Sequence, residues 1–413
     1  MSLHDEIHEQ PAAIARLLDL QNEPVRKVAA RTLAWMAALI GQLFPAVMVA
    51  VTVAAGPVAP ASADQTATSE NTLPVRGFAI GAPAPDRVDD FIDFIDHVLV
   101  PSGVNTLVLR VDYNFEYRSH PELRDDEALS RKDMRKIRKA CRRGGIRVVP
   151  QINLLGHQSW ETKAVKLLEE HPEFDETPWI ELPETYVWPN DDNLYCKSYC
   201  PLHPKVHEVV FALVDEIVDI FEADAFHAGM DEVFYIAMDR CPRCGGRDPA
   251  ELFAGEVTLI RNHLARSGVE LWIWGDRLID GKTTGIGEWE ASMNQTHRAI
   301  DLIPRDVVIN DWHYERADPT APYFAAKGFT VVTCPWKLGD VATTQIDDML
   351  RWRRTSTPEM SERFAGIMQT IWAPAGDFLD RYLGRTPTPE NEQGGDPVDC
   401  ARTVLDTFRE LLE

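Results

Sequence analysis

The chain predicts an α/β fold, and within that class a closed (β/α)8 barrel of the TIM type. Three observations carry this expectation. Eight short apolar runs recur along the sequence, separated for the most part by stretches with helical periodicity. The runs are continuous in Val, Ile, Leu and aromatic residues, as suits strands buried on both faces of a parallel sheet. The 413 residues, 45% of them hydrophobic, suffice for one barrel of about 250 residues together with further segments. Eight β-then-α units in one chain favour closure over an open doubly wound sheet.

Residues 1–63 read as a leader. From Thr32 to Ala63 there is no charged residue, Arg26, Lys27 and Arg31 precede the apolar run, and Ala61-Ser62-Ala63 forms an A-x-A site. This pattern predicts export through a cleaved signal, or, since the run is long enough to cross a bilayer, an uncleaved envelope anchor. A true start at an internal site such as Met36 would instead imply a cytoplasmic protein. Residues 64–73 form a Thr/Ser/Gln-rich linker, and the barrel occupies 74–413.

The predicted strands are Gly77 to Ala82, Thr106 to Asp112, Arg147 to Asn153, Ala225 to Asp231, Glu270 to Asp276, Asp306 to Tyr314, Thr330 to Trp336 and Gly366 to Trp372. Between them, Val206 to Phe221 places Val209, Val210, Leu213, Ile217 and Val218 on one helical face. Pro249 to Ser267 is a second helix, stopped by Gly268. The insertion from Gly156 to Lys205, rich in Trp, Pro and Tyr, becomes the third βα loop and a wall of the site. A net charge of -23 argues against nucleic acid or an anionic membrane surface as partner. A neutral carbohydrate is indifferent to it, and no obligate protein partner is implied.

In such a barrel the active site lies at the C-terminal ends of the strands. The fourth run ends in His227-Ala228-Gly229-Met230-Asp231-Glu232. Adjacent acids on a strand point to opposite faces, so both reach one pocket only where the strand stops. A bare Asp-Glu is ordinarily two solvated acids in a loop. Within one pocket, however, the pair suits glycoside chemistry, with one carboxyl protonated as an acid and its neighbour ionised to stabilise positive charge. His157, Asp276 and Tyr314 also fall at run ends, as do Trp274, Trp312, Trp336 and Trp372, and all are expected to contact substrate. Four tryptophans there exceed what a core needs, and flat rings with a polar edge form a platform for a pyranose.

The frame His-x-Gly-x-Asp-Glu resembles the His-x-Gly-Gly-Asp-Glu signature of glycoside hydrolase family 20, the β-N-acetylhexosaminidases, with Met230 in place of the second glycine. Arg76-Gly77 is similar to the Arg-Gly that opens the family's first strand. Pro150-Gln151-Ile152-Asn153-Leu154-Leu155-Gly156-His157 resembles its Pro-Glu-Ile-Asp-x-Pro-Gly-His, both acids being replaced. Trp372 falls where the family has Trp-Ser-Glu, but Ala373-Pro374 follows. The resemblance implies a (β/α)8 hydrolase acting on an amino-sugar glycan without a catalytic cofactor. By the same implication Glu232 is general acid and then base, Asp231 orients the substrate's attacking acetamido group, Arg76 grips sugar hydroxyls, and His227 and His157 support the acids.

The seven cysteines include Cys196-x3-Cys200 and Cys241-x2-Cys244. These four are expected to meet, holding a structural zinc or forming two disulfides, with free thiols as the remaining alternative. Two other functions fit parts of the pattern. A non-hydrolytic glycan-binding barrel would keep the aromatic ends but has no need of both central carboxylates. A metal-dependent hydrolase would use His157, His227, Asp231 and Asp276 as ligands, yet Gly77-Phe78-Ala79-Ile80-Gly81 lacks the His-x-His pair such sites often place on the first strand.

Overall fold

The computed structural model describes residues 73–186, 196–387 and 394–413. The leader expected at 1–63 and all but the last residue of the linker at 64–73 lie outside the described residues. Among the described residues no helix is long and apolar enough to cross a membrane.

Eight strands close into one barrel: β1 (Val75–Gly81), β2 (Thr106–Arg110), β3 (Arg147–Leu154), β4 (Ala225–Gly229), β5 (Glu270–Trp274), β6 (Val308–Trp312), β7 (Thr330–Cys334) and β8 (Phe364–Thr370). Each pairs in parallel with the strands next to it in sequence, and β8 returns to β1 with Phe78 opposite Gln369. Inward residues from successive strands, among them Ala79, Val108, Val149, Ala225, Val308 and Val332, pack into a cluster of their own. The outward residues join the helices in a larger core. The predicted (β/α)8 barrel is thus the observed fold.

All eight strands fall within or across the predicted runs, but several runs extend past the strand end. The reason is local backbone geometry. β4 stops at Gly229, whose φ of 67° is followed by 68° at Met230, and beyond β2 the chain turns left-handed at Asp112 with φ 46°. A left-handed residue cannot continue a ladder.

Helices α1 (Val88–Phe94), α2 (Arg131–Arg143), α3 (Val206–Phe221), α4 (Pro249–Ala265), α5 (Ala321–Ala326), α6 (Gly339–Thr355), α7 (Ala375–Tyr382) and α8 (Pro397–Glu410) pack on the barrel. Ser130 and Asp133 form a reciprocal capping box on α2, and Asp248 caps α4 with Pro249 at its first position. The fifth unit departs from the expected alternation. Between β5 and β6 the chain makes one turn at Gly281–Thr284, stopped by Gly285 at φ 71°, and a short 3-10 segment at Thr296–Asp301. Gly281, Gly285 and Gly287 interrupt any longer helix there.

The long insertion after β3 folds over the barrel's C-terminal rim. It contains a hairpin of Ser159–Trp160 with Lys163–Ala164, and Tyr199 bridges to Asp175. A buried Lys197–Asp175 ion pair at 2.6 Å ties its two arms together.

Candidate active site

The turn after β4 brings the two acids to one point. With Gly229, Met230 and Glu232 all left-handed, the chain coils tightly enough for both carboxylates to face His157. Its Nε2 lies 3.1 Å from Asp231 Oδ2 and 3.2 Å from Glu232 Oε2. His157 is itself left-handed, in the loop after β3, and Gly156 lets that loop approach: a Cβ there would sit 2.4 Å from the Asp231 carbonyl oxygen. Both acids are buried.

Burial alone pushes the Asp231 carboxyl up, but the facing His157 offsets this and holds it below the ordinary carboxylate value. Burial likewise opposes a charge on His157, yet Asp231 and the Cys196 sulfur lift its pKa well above the usual imidazole value. At neutral pH the pair is therefore carboxylate and imidazolium. One Asp231 oxygen, Oδ1, has no hydrogen-bond partner among the described residues.

Asp276, expected to contact substrate, instead supports the motif. It is fully buried, and its carboxylate accepts from the Glu232 backbone N–H at 2.9 Å, Arg277 Nε at 2.6 Å and Trp312 Nε1 at 3.2 Å. Burial pushes its pKa up to about 6 in spite of Arg277. Arg277 then donates to the carbonyls of Glu288, Trp289 and Ala291, fastening the loop after β5. This positioning role was not read from the sequence; the adjacency of Asp276 and Arg277 was its only signal.

His227 also lies behind the site. Its Nδ1 accepts the Gly229 N–H at 3.0 Å, its ring stands 4.5 Å from Trp274, and burial lowers its pKa to about 3, so it is neutral and braces the turn. With His227 and Asp276 so engaged, the four residues weighed as metal ligands do not converge; the group that gathers at His157 is Cys196 and Glu232.

The predicted aromatic residues do come together. Trp274 and Trp372 have ring centroids 5.5 Å apart, Trp312 and Tyr314 4.8 Å, and Tyr314 and Trp336 5.2 Å. The Trp372 Nε1–H donates to the Tyr314 hydroxyl at 2.7 Å, which closes the chain of rings into one wall. The buried indole N–H groups of Trp274 and Trp336 have no acceptor among the described residues.

Arg76 is a correction. It is the second residue of β1, at the N-terminal end of the barrel, and its guanidinium donates to the carbonyls of Gly103 and Leu73. The arginine at the C-terminal rim is Arg110, the last residue of β2, which lies 5.2 Å over the Trp372 ring and beside Asp112 at 3.6 Å. A cavity of about 470 Å³ opens there, lined by Gly81, Arg110, Asp112 and Pro374 among others. Position at the end of a predicted strand was the signal for Arg110; the Arg-Gly dipeptide drew attention to the wrong end.

Cys196 is a second correction. It does not join Cys200, Cys241 and Cys244, but sits 3.3 Å from His157 Nδ1 and 3.5 Å from Glu232 Oε2. The 196–200 segment pairs in β fashion with Asp175 at Tyr199, and four residues of extended chain separate side chains by roughly 13 Å.

Residues 113–372 match the glycosyl hydrolase family 20 catalytic domain, and the chain belongs to that family. The beta-hexosaminidase of Emericella nidulans is 27% identical over 207 residues, which cover 47% of this chain and 31% of that protein. Beta-hexosaminidase 1 of Coccidioides posadasii is 25% identical over 241 residues, covering 52% and 35% respectively. The chain thus spans about a third of the length of these curated relatives. The chitobiase of Flavobacterium johnsoniae shares the fold with a TM-score of 0.55 at 18% identity, over 82% of this chain and 51% of that one.

Proposed function

We propose that this chain is a retaining glycosidase that removes β-linked N-acetylhexosamine residues, using the substrate's own 2-acetamido oxygen as nucleophile. The observation that carries this reading is the shared contact of Asp231 and Glu232 with His157, at 3.1 and 3.2 Å, beside a continuous wall of aromatic rings.

Asp231, held ionised by His157, directs its unpartnered Oδ1 at the acetamide N–H and stabilises the positive charge of an oxazolinium intermediate. Glu232 gives its proton to the leaving oxygen and then takes one from the attacking water. Trp274, Trp312, Tyr314, Trp336 and Trp372 enclose the sugar and its acetamido methyl, and Arg110 replaces Arg76 as the arginine within reach of hydroxyls. Family membership and the beta-hexosaminidase relatives support the substrate class. Export through residues 32–63 belongs to the same proposal.

The test is an assay of the purified chain against nitrophenyl N-acetyl-β-glucosaminide and N-acetyl-β-galactosaminide alongside the β-glucoside. Cleavage of either acetamido sugar with little or none of the glucoside is expected. Equal cleavage of the glucoside, or a covalent glycosyl ester trapped on a carboxylate, would overturn the mechanism.

A further inference from the structure

Three cysteines and one glutamate converge away from the acids. Cys200 comes from the loop after β3 and Cys241 and Cys244 from the loop after β4; Cys200 Sγ lies 3.6 Å from Cys241 Sγ and 3.9 Å from Cys244 Sγ. Glu176, also in the loop after β3, brings Oε1 to 2.7 Å from Cys244 Sγ. The four ligand atoms all lie within 4.8 Å of one another, and all four residues are buried.

The spacings are informative. Sulfur atoms about 2.3 Å from a zinc ion at tetrahedral angles stand about 3.8 Å from one another, which falls between the two distances measured from Cys200. The charge balance points the same way. Glu176 is fully buried; its Oε1 accepts from the Met238 N–H at 3.1 Å, and its Oε2 has no donor among the described residues. A buried carboxylate with so little compensation is costly unless a cation meets it. Three thiols cannot be consumed by disulfides, since one bridge strands the third beside Glu176.

The two loops are also tied beside the cluster. Arg243, between Cys241 and Cys244, donates from its guanidinium to the Glu173 carbonyl at 2.9 Å. Gly245 follows the pair because a Cβ there would lie 2.6 Å from the Asp239 carbonyl oxygen and 2.7 Å from that of Cys241.

We infer that Glu176, Cys200, Cys241 and Cys244 form a closed, four-coordinate zinc site that fastens the loop carrying His157 to the loop carrying Asp231 and Glu232. Soft thiolates with a single carboxylate select zinc over magnesium or calcium. Because no position is left open for water, the ion is structural and takes no part in the reaction. The three thiol protons leave when it binds.

Elemental analysis of the full chain, reconstituted with zinc and freed of loose metal, should find about one zinc per chain. The Cys241→Ser/Cys244→Ser double variant should find none, and Cys196→Ser should keep the full equivalent, which separates this ligand set from one that includes Cys196. Glu176→Gln should release zinc to a chelator roughly tenfold faster or more. If the double variant does not fold, wild-type protein loaded with cobalt gives the independent reading, an intense visible spectrum of tetrahedral cobalt-thiolate. Substoichiometric zinc with three freely alkylated thiols, a mapped disulfide within Cys200, Cys241 and Cys244, or loss of zinc in Cys196→Ser would overturn the assignment.

Discussion

Asp231 and Glu232 are neighbours that the proposed reaction needs in opposite protonation states, and both carboxylates meet the same His157 Nε2, at 3.1 and 3.2 Å. If Glu232 is the acid, Glu232→Gln should lower turnover by roughly 10²–10⁴-fold on substrates with poor leaving groups. Activated aryl leaving groups need less protonation, so presteady-state cleavage of those should suffer less; equal loss on both would count against the role. Asp231→Asn removes the anion that faces the acetamide in the proposed mechanism. It should cost roughly 10²–10³-fold in turnover and weaken binding of a thiazoline mimic far more than binding of product. Unchanged thiazoline affinity would place the charge elsewhere. These two acids were legible in the sequence because the frame around them is distinctive. Arg110 and Asp276 were less so: a motif names residue types, while the end of the strand and the set of donors around a carboxylate belong to tertiary structure. Glu176 gave no signal at all, being a lone acid in a long insertion whose partners lie in another loop.

At the scale of elements, the strands were legible because two-sided burial demands continuous apolar runs, and their ends were not because they are set by backbone conformation. The turn after β4 shows this. Met230 is fully buried with φ 68°, so its side chain stabilises by packing while its backbone stores strain of about 1–2 kcal/mol. Met230→Ala keeps the strain and loses the packing, and should destabilise by about 2–5 kcal/mol in chemical denaturation. Met230→Gly loses the same packing but relieves the backbone, so it should be up to about 1 kcal/mol more stable than the alanine variant, inverting the usual order of Ala over Gly. The usual order at this site would mean that the turn is not left-handed in solution. The cysteine spacing misled for a related reason: Cys-x3-Cys brings both thiols close together only when the intervening chain is helical, and here it runs in β fashion, which leaves them on one side but roughly 13 Å apart.

Over the whole molecule, closure of the barrel assembles groups that are remote in sequence, and one buried cluster makes that assembly pH-dependent. His313, just beyond β6, has Nδ1 2.8 Å from Glu290 and Nε2 2.7 Å from Thr320 Oγ1 and 3.2 Å from Asp311. Burial opposes its charge, but Asp311 and Glu290 outweigh that and raise its pKa to about 10. A histidine raised in the folded state stabilises fully below its unfolded pKa of about 6.5 and loses that contribution as pH climbs toward 10. Unfolding free energy should therefore fall across this window, with His313 supplying up to about 1.4 kcal/mol per pH unit. His313→Gln should flatten the slope, and an identical slope in the two proteins would remove His313 as its source. The order of the strands around the barrel has a further consequence. The acids, His157 and Cys196 all come from the loops that follow β3 and β4, whereas Trp274, Trp312, Trp336 and Trp372 come from the ends of β5 to β8. On the proposed reading, proton transfer and sugar enclosure are thus assigned to different halves of the barrel. A lineage of such enzymes can then exchange the glycan it accepts through changes in β5 to β8 while leaving the pair of acids after β4 untouched.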